Sequence, residues 1–411
     1  MKILHINDNY CNLGGAEKYL LDICKALEEM GNQIIIISSS EREHISVQGR
    51  REYFVKPSQG LRSGLRIWST YRDIVKREKP DIIHLHNTHN AHYFISPLVI
   101  KRLCSLKPIV KFVHDARFFC PNYGMKAIPS SNEICNYPVG TRCLNRKGCH
   151  LFNLNGNGAF YNLYRYFLLS YELHVSRLLD RVIVGSQYMY DELVKNGFAK
   201  NRISIIPCYT EKALDIEITK NMQKGLILYI GRFDKVKGAP QFIEALNYLK
   251  DQQWCAEIVG DGELFKNLEE RVEKLGLKNR IKFLGRLSND EVDRCYQRCR
   301  MVVMPSMVPE SFGLVGIEAM GFGKPVVAFD SGGISEWLID GHNGFLVKRG
   351  DIEGLSKKIS ELLEDVALCC NMGVKAKERV EKNYRKELHI TRLLHLYEKV
   401  IKERTGEKVL A

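Results

Sequence analysis

The sequence lacks any apolar run near the ~20 residues that span a bilayer, so no membrane-spanning helix is expected. Its opening residues, MKILHINDNY, predict a strand that already holds Asp8, so we expect no signal peptide. The 13 cysteines are therefore expected to be reduced thiols of a cytoplasmic protein and not a disulfide framework. No helix-turn-helix pattern or RNA-binding signature is present, which argues against nucleic acid as a partner.

Two common nucleotide-binding motifs are missing as well. The glycine-rich turn Asn12–Glu17 does not follow the pattern G-x-G-x-x-G, which argues against a nicotinamide cofactor. In Gly321–Pro325, proline stands where a phosphate-binding P-loop needs Ser or Thr, and the leading glycine is absent. The chain is nevertheless rich in cations. Its net charge of +13 over 411 residues indicates an anionic partner, such as a nucleotide diphosphate or an acidic lipid surface.

The stretch Met301–Glu318 carries the most specific pattern. It predicts a short buried strand, a loop and a helix that begins near Gly313, with Ser311 as its N-cap. The first backbone amides of such a helix have no internal partner and lie at its positive end, so they suit a phosphate. Glu310 and Glu318 would lie roughly 10 Å apart, about the separation of sugar and ribose in a nucleotide diphosphate-sugar. A strand–helix turn with two solvated glutamates is the alternative.

Two cations follow the apolar strand predicted at Leu226–Ile230. Arg232 and Lys237 lie just past its carboxyl end, where open parallel sheets form their ligand crevice. Either side chain alone is typical of a solvated surface charge, but the pair in this position favours phosphate binding. Strands and helices alternate in both halves of the chain, which predicts two parallel, doubly wound α/β domains.

These motifs resemble those of retaining family 4 glycosyltransferases with the GT-B fold. ESFGLVGIE (Glu310–Glu318) is similar to their E-x7-E motif, and GRFDKVKG (Gly231–Gly238) to their diphosphate-binding Arg and Lys motif. VGDGE, FLGRLS, PVVAFDSGGISEWL and DGHNGFLV follow in the order typical of the family. The resemblance implies two Rossmann-like domains facing an interdomain cleft, with a C-terminal helix that crosses back to the first domain. The boundaries we expect are 1–207 for the acceptor-binding domain, 208–223 for the linker, 224–385 for the nucleotide-sugar domain and 386–411 for the C-terminal helix.

The same resemblance implies the reaction and the residues that perform it. We expect retaining transfer of a sugar from a UDP- or GDP-sugar to a glycan or lipid-linked acceptor in polysaccharide or glycoconjugate biosynthesis, with no divalent metal in catalysis. The expected catalytic residues are Glu310, Arg232, Lys237 and His114. The expected donor-binding residues are Gly15, Glu318, Phe312, Gly313, Leu314, Gly260 and Leu287. The expected acceptor-side residues are Glu17, His86, Asn87 and Asp115.

Some of these assignments also have support in the residues themselves. Gly14 and Gly15 lack side chains, so a phosphate or sugar could approach their backbone closely, although such a turn is also typical of a simple tight bend. His86 and Asn87 follow a predicted strand, as residues of a ligand crevice would. A metal cluster is the less favoured alternative there, formed by the histidines at positions 84, 86, 89 and 92. His114 ends another buried strand, where a core histidine is the alternative.

The loop from 115 to 157 is the segment least typical of the family. It holds Cys120, Cys135, Cys143 and Cys149, which could supply a tetrahedral structural zinc site, although no C-x-x-C pair is present. Free thiols and redox disulfides are the alternatives. A similar HD…CP…C…C loop occurs in a subset of family 4 members.

A basic amphipathic stretch at 50–79 supports two interpretations. Its cations are interleaved with apolar residues such as Leu65, Trp68 and Tyr71, as in a helix that holds a peripheral enzyme on an anionic membrane near a lipid-linked acceptor. A helix packed on the sheet with a solvated basic face is the alternative. For the whole chain, the competing functions are a non-catalytic nucleotide-sugar-binding protein and a GT-B epimerase.

Overall fold

The computed structural model describes residues 1–8, 15–39, 49–56, 61–87, 95–122, 126, 133–144, 159–212 and 223–406. The chain divides into two compact units. Unit 1 comprises Met1–Gly124, Asn136–Ile206 and His389–Ala411, and unit 2 comprises Met125–Cys135 and Pro207–Leu388. Met125–Cys135 therefore groups with unit 2, whereas the sequence places it in the first domain. Of the predicted linker, residues 213–222 lie outside the described residues.

Unit 1 is built on a parallel sheet whose inner strands are nearly continuous apolar runs, as strands buried on both faces require. Its strands are β1 (Lys2–Ile6), β2 (Gln33–Ser38), β3 (Arg51–Phe54), β4 (Ile82–Leu85), β5 (Ile109–Val113), β6 (Arg181–Val184) and β7 (Ile203–Ile205). Their order is β3-β2-β1-β4-β5-β6-β7. The chain reverses its winding between β1 and β4, so the carboxyl ends of these two strands flank the ligand crevice of the sheet.

Five helices lie between these strands in the described part of unit 1: α1 (Gly15–Glu29), α2 (Leu61–Glu78), α3 (Pro97–Leu103), α4 (Ala159–Ser176) and α5 (Gln187–Lys195). Their starts follow ordinary capping chemistry, since the Ser96 hydroxyl accepts from the amide of Val99 in α3 and Ser186 caps α5 in the same way. Within the described residues, no helix has the length and apolar composition needed to cross a membrane.

The basic stretch that contains α2 packs its apolar side against the sheet. Tyr71, Ile74 and Val75 belong to the buried core of unit 1, and Trp68 packs against that core. The Arg102 guanidinium lies 5.5 Å from the centre of the Trp68 ring. Trp68 and Tyr71, two of the apolar side chains on which the membrane interpretation of this stretch depended, are therefore used in packing.

Unit 2 repeats the same architecture. Its strands are β8 (Leu226–Ile230), β9 (Cys255–Val259), β10 (Ile281–Gly285), β11 (Met301–Met304), β12 (Val326–Phe329) and β13 (Gly344–Val347). They form a parallel sheet in the order β10-β9-β8-β11-β12-β13, and the winding reverses between β8 and β11. The helices are α6 (Ala239–Asn247), α7 (Phe265–Lys274), α8 (Asn289–Arg298), α9 (Leu314–Gly321), α10 (Ile352–Glu364) and α11 (Val366–Asn383). The predicted fold class, two doubly wound parallel-sheet domains, is confirmed.

The last helix, α12 (Lys386–Thr405), belongs to unit 1 from His389 onward. Leu393, Tyr397 and Val400 are fully buried along one side of it. The Tyr397 hydroxyl lies 2.5 Å from Nδ1 of His84 on β4, and the carboxylate of Glu403 accepts from Arg181 at 2.8 Å. Residues remote in sequence thus complete the core of the first sheet.

Candidate active site

The loop between β8 and α6 holds the two predicted phosphate-binding cations in a rigid turn. Asp234 Oδ1 accepts hydrogen bonds from the backbone amides of Val236 and Lys237, both at 3.0 Å. Gly238 closes the turn with a φ of +78°, and a Cβ at this position would lie 1.8 Å from the carbonyl oxygen of Pro305. Only glycine fits there, and its close approach joins this loop to the loop that follows β11.

Lys237 and Glu310 form the central ion pair of unit 2. The Lys237 ammonium donates to Glu310 Oε1 at 2.7 Å, and the Ser306 hydroxyl donates to the same oxygen at 2.6 Å. Burial alone would raise the pKa of Glu310, but Lys237, Ser306 and Arg232 outweigh it and hold that pKa below its usual value. Arg232 is 74% exposed and pairs with Asp234 at 3.1 Å. Glu310 is therefore an ionised carboxylate beside two cations at the switch point of the sheet.

Backbone hydrogen bonds fix the position of Glu310. Its amide donates to the carbonyl of Ser331 at 3.2 Å, and the amide of Gly333 donates to the Glu310 carbonyl at 2.7 Å. A Cβ on Gly332 would lie 2.4 Å from the Glu310 carbonyl oxygen, so the segment after β12 can approach only because residue 332 is glycine. The motif GISEW thus supports the glutamate from a neighbouring strand.

The start of α9 differs from the prediction in its cap. The N-cap is Gly313 with a φ of +90°, and not Ser311, because the chain must enter the helix through a left-handed residue. Trp337 stabilises this entry: its indole N–H donates to the Phe312 carbonyl at 2.6 Å, and its ring leaves no room for a side chain at Gly316. Gly313 has no side chain, so no side-chain oxygen at the N-cap competes for the first amides of α9, which suits them to an anion.

Glu318 lies inside α9 with partners of its own. Tyr296 on α8 donates to Glu318 Oε2 at 3.0 Å, and the Lys212 ammonium lies 3.8 Å from the same oxygen. Lys212 also pairs with Asp293 at 2.6 Å. Sequence patterns identified Glu318 but neither Lys212 nor Tyr296, since both reach it from distant parts of the chain.

Two of the expected donor-binding residues, Gly260 and Leu287, lie beside these loops. Gly260 follows β9, and its amide donates to the Gly285 carbonyl at 2.9 Å. A Cβ on Gly260 would lie 1.9 Å from the carbonyl oxygen of Gly231, so the ends of β8 and β9 are in direct backbone contact. Leu287 is half-buried and packs against the apolar cluster that includes Val259. Gly231 directly precedes Arg232 in the sequence, so Gly260 lies close to Arg232 as well.

In unit 1, polar residues follow β1 and β4 at the point where the winding reverses. The amide of Asn87 donates to Asn7 Oδ1 at 2.9 Å, and the amide of Asp8 donates to the Asn87 carbonyl at 2.8 Å. His5 and His84 are register partners on β1 and β4. His86 lies two residues further on the same face and is almost fully buried. His89 and His92, the other members of the predicted histidine set, lie outside the described residues.

His86 connects two further histidines. Its Nε2 lies 3.0 Å from Nδ1 of His5, and its Nδ1 lies 3.3 Å from Nε2 of His114. Burial lowers the pKa of His114 to about 4 and that of His5 to about 3, and it holds the pKa of His86 well below its usual range. These rings are neutral at pH 7, so each contact joins one N–H donor to one bare nitrogen. The tautomers of the three histidines are consequently linked.

One ring nitrogen of His5 makes no hydrogen bond in the described part of the chain, and this determines the direction in which the three histidines donate hydrogen bonds to one another. His5 Nε2 is buried and has no hydrogen-bond partner among the described residues, so a proton there would be an orphan donor. The favoured arrangement has His5 Nδ1–H donating to His86, and His86 Nδ1–H donating to Nε2 of His114. His114 then carries its own proton on Nδ1. The remote β1 histidine thereby sets which nitrogen of His114 is a donor.

The remaining acceptor-side residues surround a small pocket at the end of β5. Its lining includes His86, Asn87, Lys111, His114 and Asp115. Asp115 pairs with Arg117 at 2.6 Å; burial would raise the Asp115 pKa, but this partner lowers it below its usual value. Lys111, which sequence patterns did not identify, is 3% exposed and pairs with Glu172 of α4 at 2.7 Å. On α1, Gly15 is exposed and Glu17 half-buried.

Potential metal ligands lie close together at one place in the described residues, and this place is not the predicted zinc site. Among the described residues, His5, His84 and His86 are the group of three potential ligands whose donor atoms lie within 4.8 Å of one another. The described members of the cysteine set form no disulfide; they are Cys120, Cys135 and Cys143. Cys149 lies outside the described residues. The zinc interpretation of the cysteine loop therefore stays a prediction.

Comparisons with known proteins agree with this architecture. The family model Glycosyltransferase Family 4 matches residues 13–211, and the model Glycosyl transferases group 1 matches residues 210–379. An uncharacterized glycosyltransferase of Methanocaldococcus jannaschii is 27% identical over 380 residues, which are 92% of this chain and 93% of the relative. Sucrose-phosphate synthase of Thermosynechococcus elongatus has the same fold, with a TM-score of 0.73 at 19% identity over 98% of this chain and 99% of its own. Anabaena HepE in complex with UDP has a TM-score of 0.70 at 21% identity, over 97% and 100% of the two chains.

The two parallel-sheet units, with a cation-lined turn at the switch point of the second, define the GT-B class of glycosyltransferases. Adjacent family 4 and group 1 domains that together span residues 13–379 make the assignment more specific. These two matches support a family 4-like glycosyltransferase.

Proposed function

We propose that this protein is a retaining glycosyltransferase that moves a sugar from a UDP- or GDP-sugar to a glycan or lipid-linked acceptor. The observation that carries the proposal is the Lys237–Glu310 ion pair at the switch point of unit 2, at 2.7 Å, next to Arg232 and the start of α9. Two cations and a helix start suit a diphosphate, and a buried, ionised carboxylate suits sugar hydroxyls. Relatives of the same fold are described as complexes with UDP and with UDP-glucose.

Each residue has a defined part in this proposal. Breaking the anomeric C–O bond sends its electron pair to the leaving diphosphate, whose charge Arg232, Lys237 and the amides of α9 near Phe312, Gly313 and Leu314 would stabilise. The acceptor hydroxyl oxygen forms the new bond to the anomeric carbon, and its proton passes to the leaving phosphate oxygen on the same face. Both cations belong to the protein, so this chemistry needs no divalent metal.

Binding roles follow from the partners of each side chain. Glu310 would hold the sugar, and Glu318, anchored by Tyr296, would hold the ribose. Gly260 and Leu287 would frame the nucleobase, and Gly15 would contact the donor phosphate. His114, with its proton on Nδ1, would donate to the transferred sugar or the acceptor, while Glu17, His86, Asn87 and Asp115 would serve the acceptor side.

Two accessory features belong to the same proposal. The enzyme would act in the cytoplasm at the inner face of the membrane, where lipid-linked acceptors are found. The cysteines of the 115–157 loop would bind a structural zinc ion. Metal analysis of the purified protein, with cobalt substitution to reveal thiolate ligation, tests the zinc site independently of activity.

Nucleotide release from a panel of UDP- and GDP-sugars tests the function. We expect slow release of the nucleotide diphosphate from one donor in the absence of acceptor and faster release with acceptor, both lost in Glu310→Gln. Binding of that donor without any release would instead favour a non-catalytic nucleotide-sugar-binding protein. Conversion of the donor to an epimer without acceptor would favour the GT-B epimerase.

A further inference from the structure

The outer side of α3 and α4 in unit 1 carries large aromatic and aliphatic side chains. Tyr164, Phe167 and Tyr171 are 60%, 60% and 36% exposed, and their spacing places them along one face of α4. On α3, which packs against α4, Leu98 is 56% exposed. Exposed apolar residues normally occur singly on a soluble surface, so a stripe of them across two adjacent helices marks an interaction site.

The charges on this side have one sign. Lys101 and Arg102 are exposed on α3. The single carboxylate in the two helices, Glu172, is 1% exposed and is paired with the buried Lys111. Within α3 and α4 as described, aromatic rings and cations therefore share the exposed face without an acidic side chain.

The stripe lies toward the acceptor-side edge of unit 1. Helices that connect parallel strands run antiparallel to them, so the N-terminal halves of α3 and α4 lie near the carboxyl ends of the strands. Leu98 and Tyr164 are in those halves, and the pocket lined by His86, Asn87 and His114 is at the same strand ends. A ligand bound along the stripe would be close to this pocket.

We propose that the α3–α4 face, defined by Leu98, Lys101, Arg102, Tyr164, Phe167 and Tyr171, docks unit 1 on an anionic membrane surface. Tyrosine and phenylalanine suit the headgroup level of a bilayer, where a ring can be buried while a hydroxyl stays hydrated. The cations favour an anionic lipid surface over a neutral glycan. A second copy of the chain is disfavoured because a two-fold interface would bring the same cations together.

This docking face differs from the basic stretch at 50–79, in which Tyr71, Ile74 and Val75 pack in the core. The docking proposal rests on the proposed function in one respect: a lipid-linked acceptor gives the enzyme a reason to bind a membrane. Membrane binding itself requires neither donor nor catalysis, so the two proposals can fail separately.

Co-sedimentation of the full-length protein with vesicles tests the proposal. We expect partitioning onto vesicles of mixed phosphatidylglycerol and phosphatidylcholine, weaker binding to phosphatidylcholine alone, and loss of the difference at high salt. Tyr164→Ser with Phe167→Ser should reduce partitioning about tenfold, and Lys101→Glu with Arg102→Glu should do the same. The matched control is Tyr248→Ser, which removes a tyrosine 63% exposed on unit 2 and should leave binding unchanged.

Three results would overturn the proposal. They are equal binding of wild-type protein and stripe variants, equal loss in Tyr248→Ser, and a wild-type dimer in sedimentation velocity that Phe167→Ser converts to monomer. Nucleotide release from the soluble donor, measured without vesicles, should be unchanged in the stripe variants. That readout also confirms that they are folded, and it tests the proposed function separately from the docking face.

Discussion

At the scale of single residues, the pairing of Glu310 with Lys237 explains how a carboxylate can be kept beside a diphosphate site. The ammonium group has three N–H donors, of which Glu310 Oε1 takes one at 2.7 Å. The remaining donors can serve an incoming phosphate oxygen without releasing the glutamate. In the proposed function, Glu310 would then orient both the sugar hydroxyls and the lysine.

Replacing the two motif glutamates should separate their roles. Glu310→Gln should lower kcat about 10²- to 10³-fold, because it removes a charged partner of both sugar and lysine at the reacting end of the donor. Glu318→Gln should mainly raise the KM for donor, since Glu318 lies further along α9 beside Tyr296. Steady-state kinetics with the preferred donor measure both.

Glu269→Gln, at an exposed position on α7, is the matched control and should have wild-type kinetics. Wild-type turnover by Glu310→Gln would contradict the assignment of Glu310. Loss of folding, monitored by circular dichroism, must be excluded for each variant.

The hydrogen-bonded histidines His5, His86 and His114 allow a prediction that can be tested without measuring activity. Nitrogen-15 NMR of histidine-labelled protein at pH 7 should show His86 and His114 neutral, with the proton on Nδ1. In His5→Phe, His86 loses the donor to its Nε2, so the His114 tautomer ratio should shift toward Nε2–H. His342→Phe, at an exposed position in unit 2, should leave the His114 resonances unchanged. An unaltered His114 tautomer in His5→Phe would refute the linkage.

At the scale of elements, glycines set how closely the strand–helix loops of unit 2 approach one another. Gly238, Gly260 and Gly332 each bring one loop against the backbone of the next, where a Cβ would meet a carbonyl oxygen at 1.8, 1.9 and 2.4 Å. The cations and Glu310 are carried on these loops. The geometry of the site is therefore a property of the backbone contacts as much as of the charged residues.

Gly238→Ala tests this dependence against a matched position. Both Gly238 and Gly276 have positive φ, at +78° and +71°, but a Cβ on Gly276 meets nothing within 4 Å. Gly276→Ala should cost about 1 kcal/mol of backbone strain, whereas Gly238→Ala should cost at least about 3 kcal/mol because Pro305 must also move. Urea denaturation gives both values. Equal destabilisation of the two variants would show that the contact with Pro305 adds nothing to the loss of unfolding free energy.

At the scale of the whole molecule, each unit has its own core and its own polar edge, and α12 completes unit 1. In the described residues, α12 contributes the Tyr397–His84 contact and the contact of His389 Nε2 with the Tyr19 hydroxyl, at 2.8 Å. Buried histidines are therefore part of the packing of unit 1, and comparable histidine pairs are not found in the described residues of unit 2.

Acid should accordingly destabilise unit 1 before unit 2. The folded pKa values of His5, about 3, and His114, about 4, lie below the usual 6.5, so the unfolded chain binds more protons between those values. Each histidine should remove about 1.4 kcal/mol of unfolding free energy per pH unit as the pH falls from 6.5 toward its folded pKa. Hydrogen exchange of β1 and β4 peptides against β8 and β11 peptides at pH 7 and pH 5 measures the difference. His5→Phe should flatten the slope; equal acid sensitivity of both units would contradict it.

Local sequence was sufficient for much of the fold. Apolar runs predicted β8 with its observed bounds, because a strand buried on both faces must be continuously apolar. The rule that ligands bind at strand carboxyl ends drew attention to Arg232 and Lys237 just past β8, but the contact between Lys237 and Glu310 is evident only in the structure. Local sequence was insufficient for the cap of α9, because a serine near a helix start is a common cap and the left-handed entry at Gly313 is imposed by packing against Trp337.

The sequence by itself determined the fold class, the strand–helix loops of unit 2 that carry Lys237 and Glu310, and the polar residues at the strand ends of unit 1, because each depends on periodicity or on residues a few positions apart. The tertiary structure decided which distant residues complete those sites: Lys212 and Tyr296 beside Glu318, His5 beside His86, and Lys111 beside Glu172. It also decided that the apolar side of α2 is core and that the exposed apolar stripe is on α4. Contacts across strands and between helices depend on how elements pack against one another, and the sequence pattern of a single segment does not predict this packing.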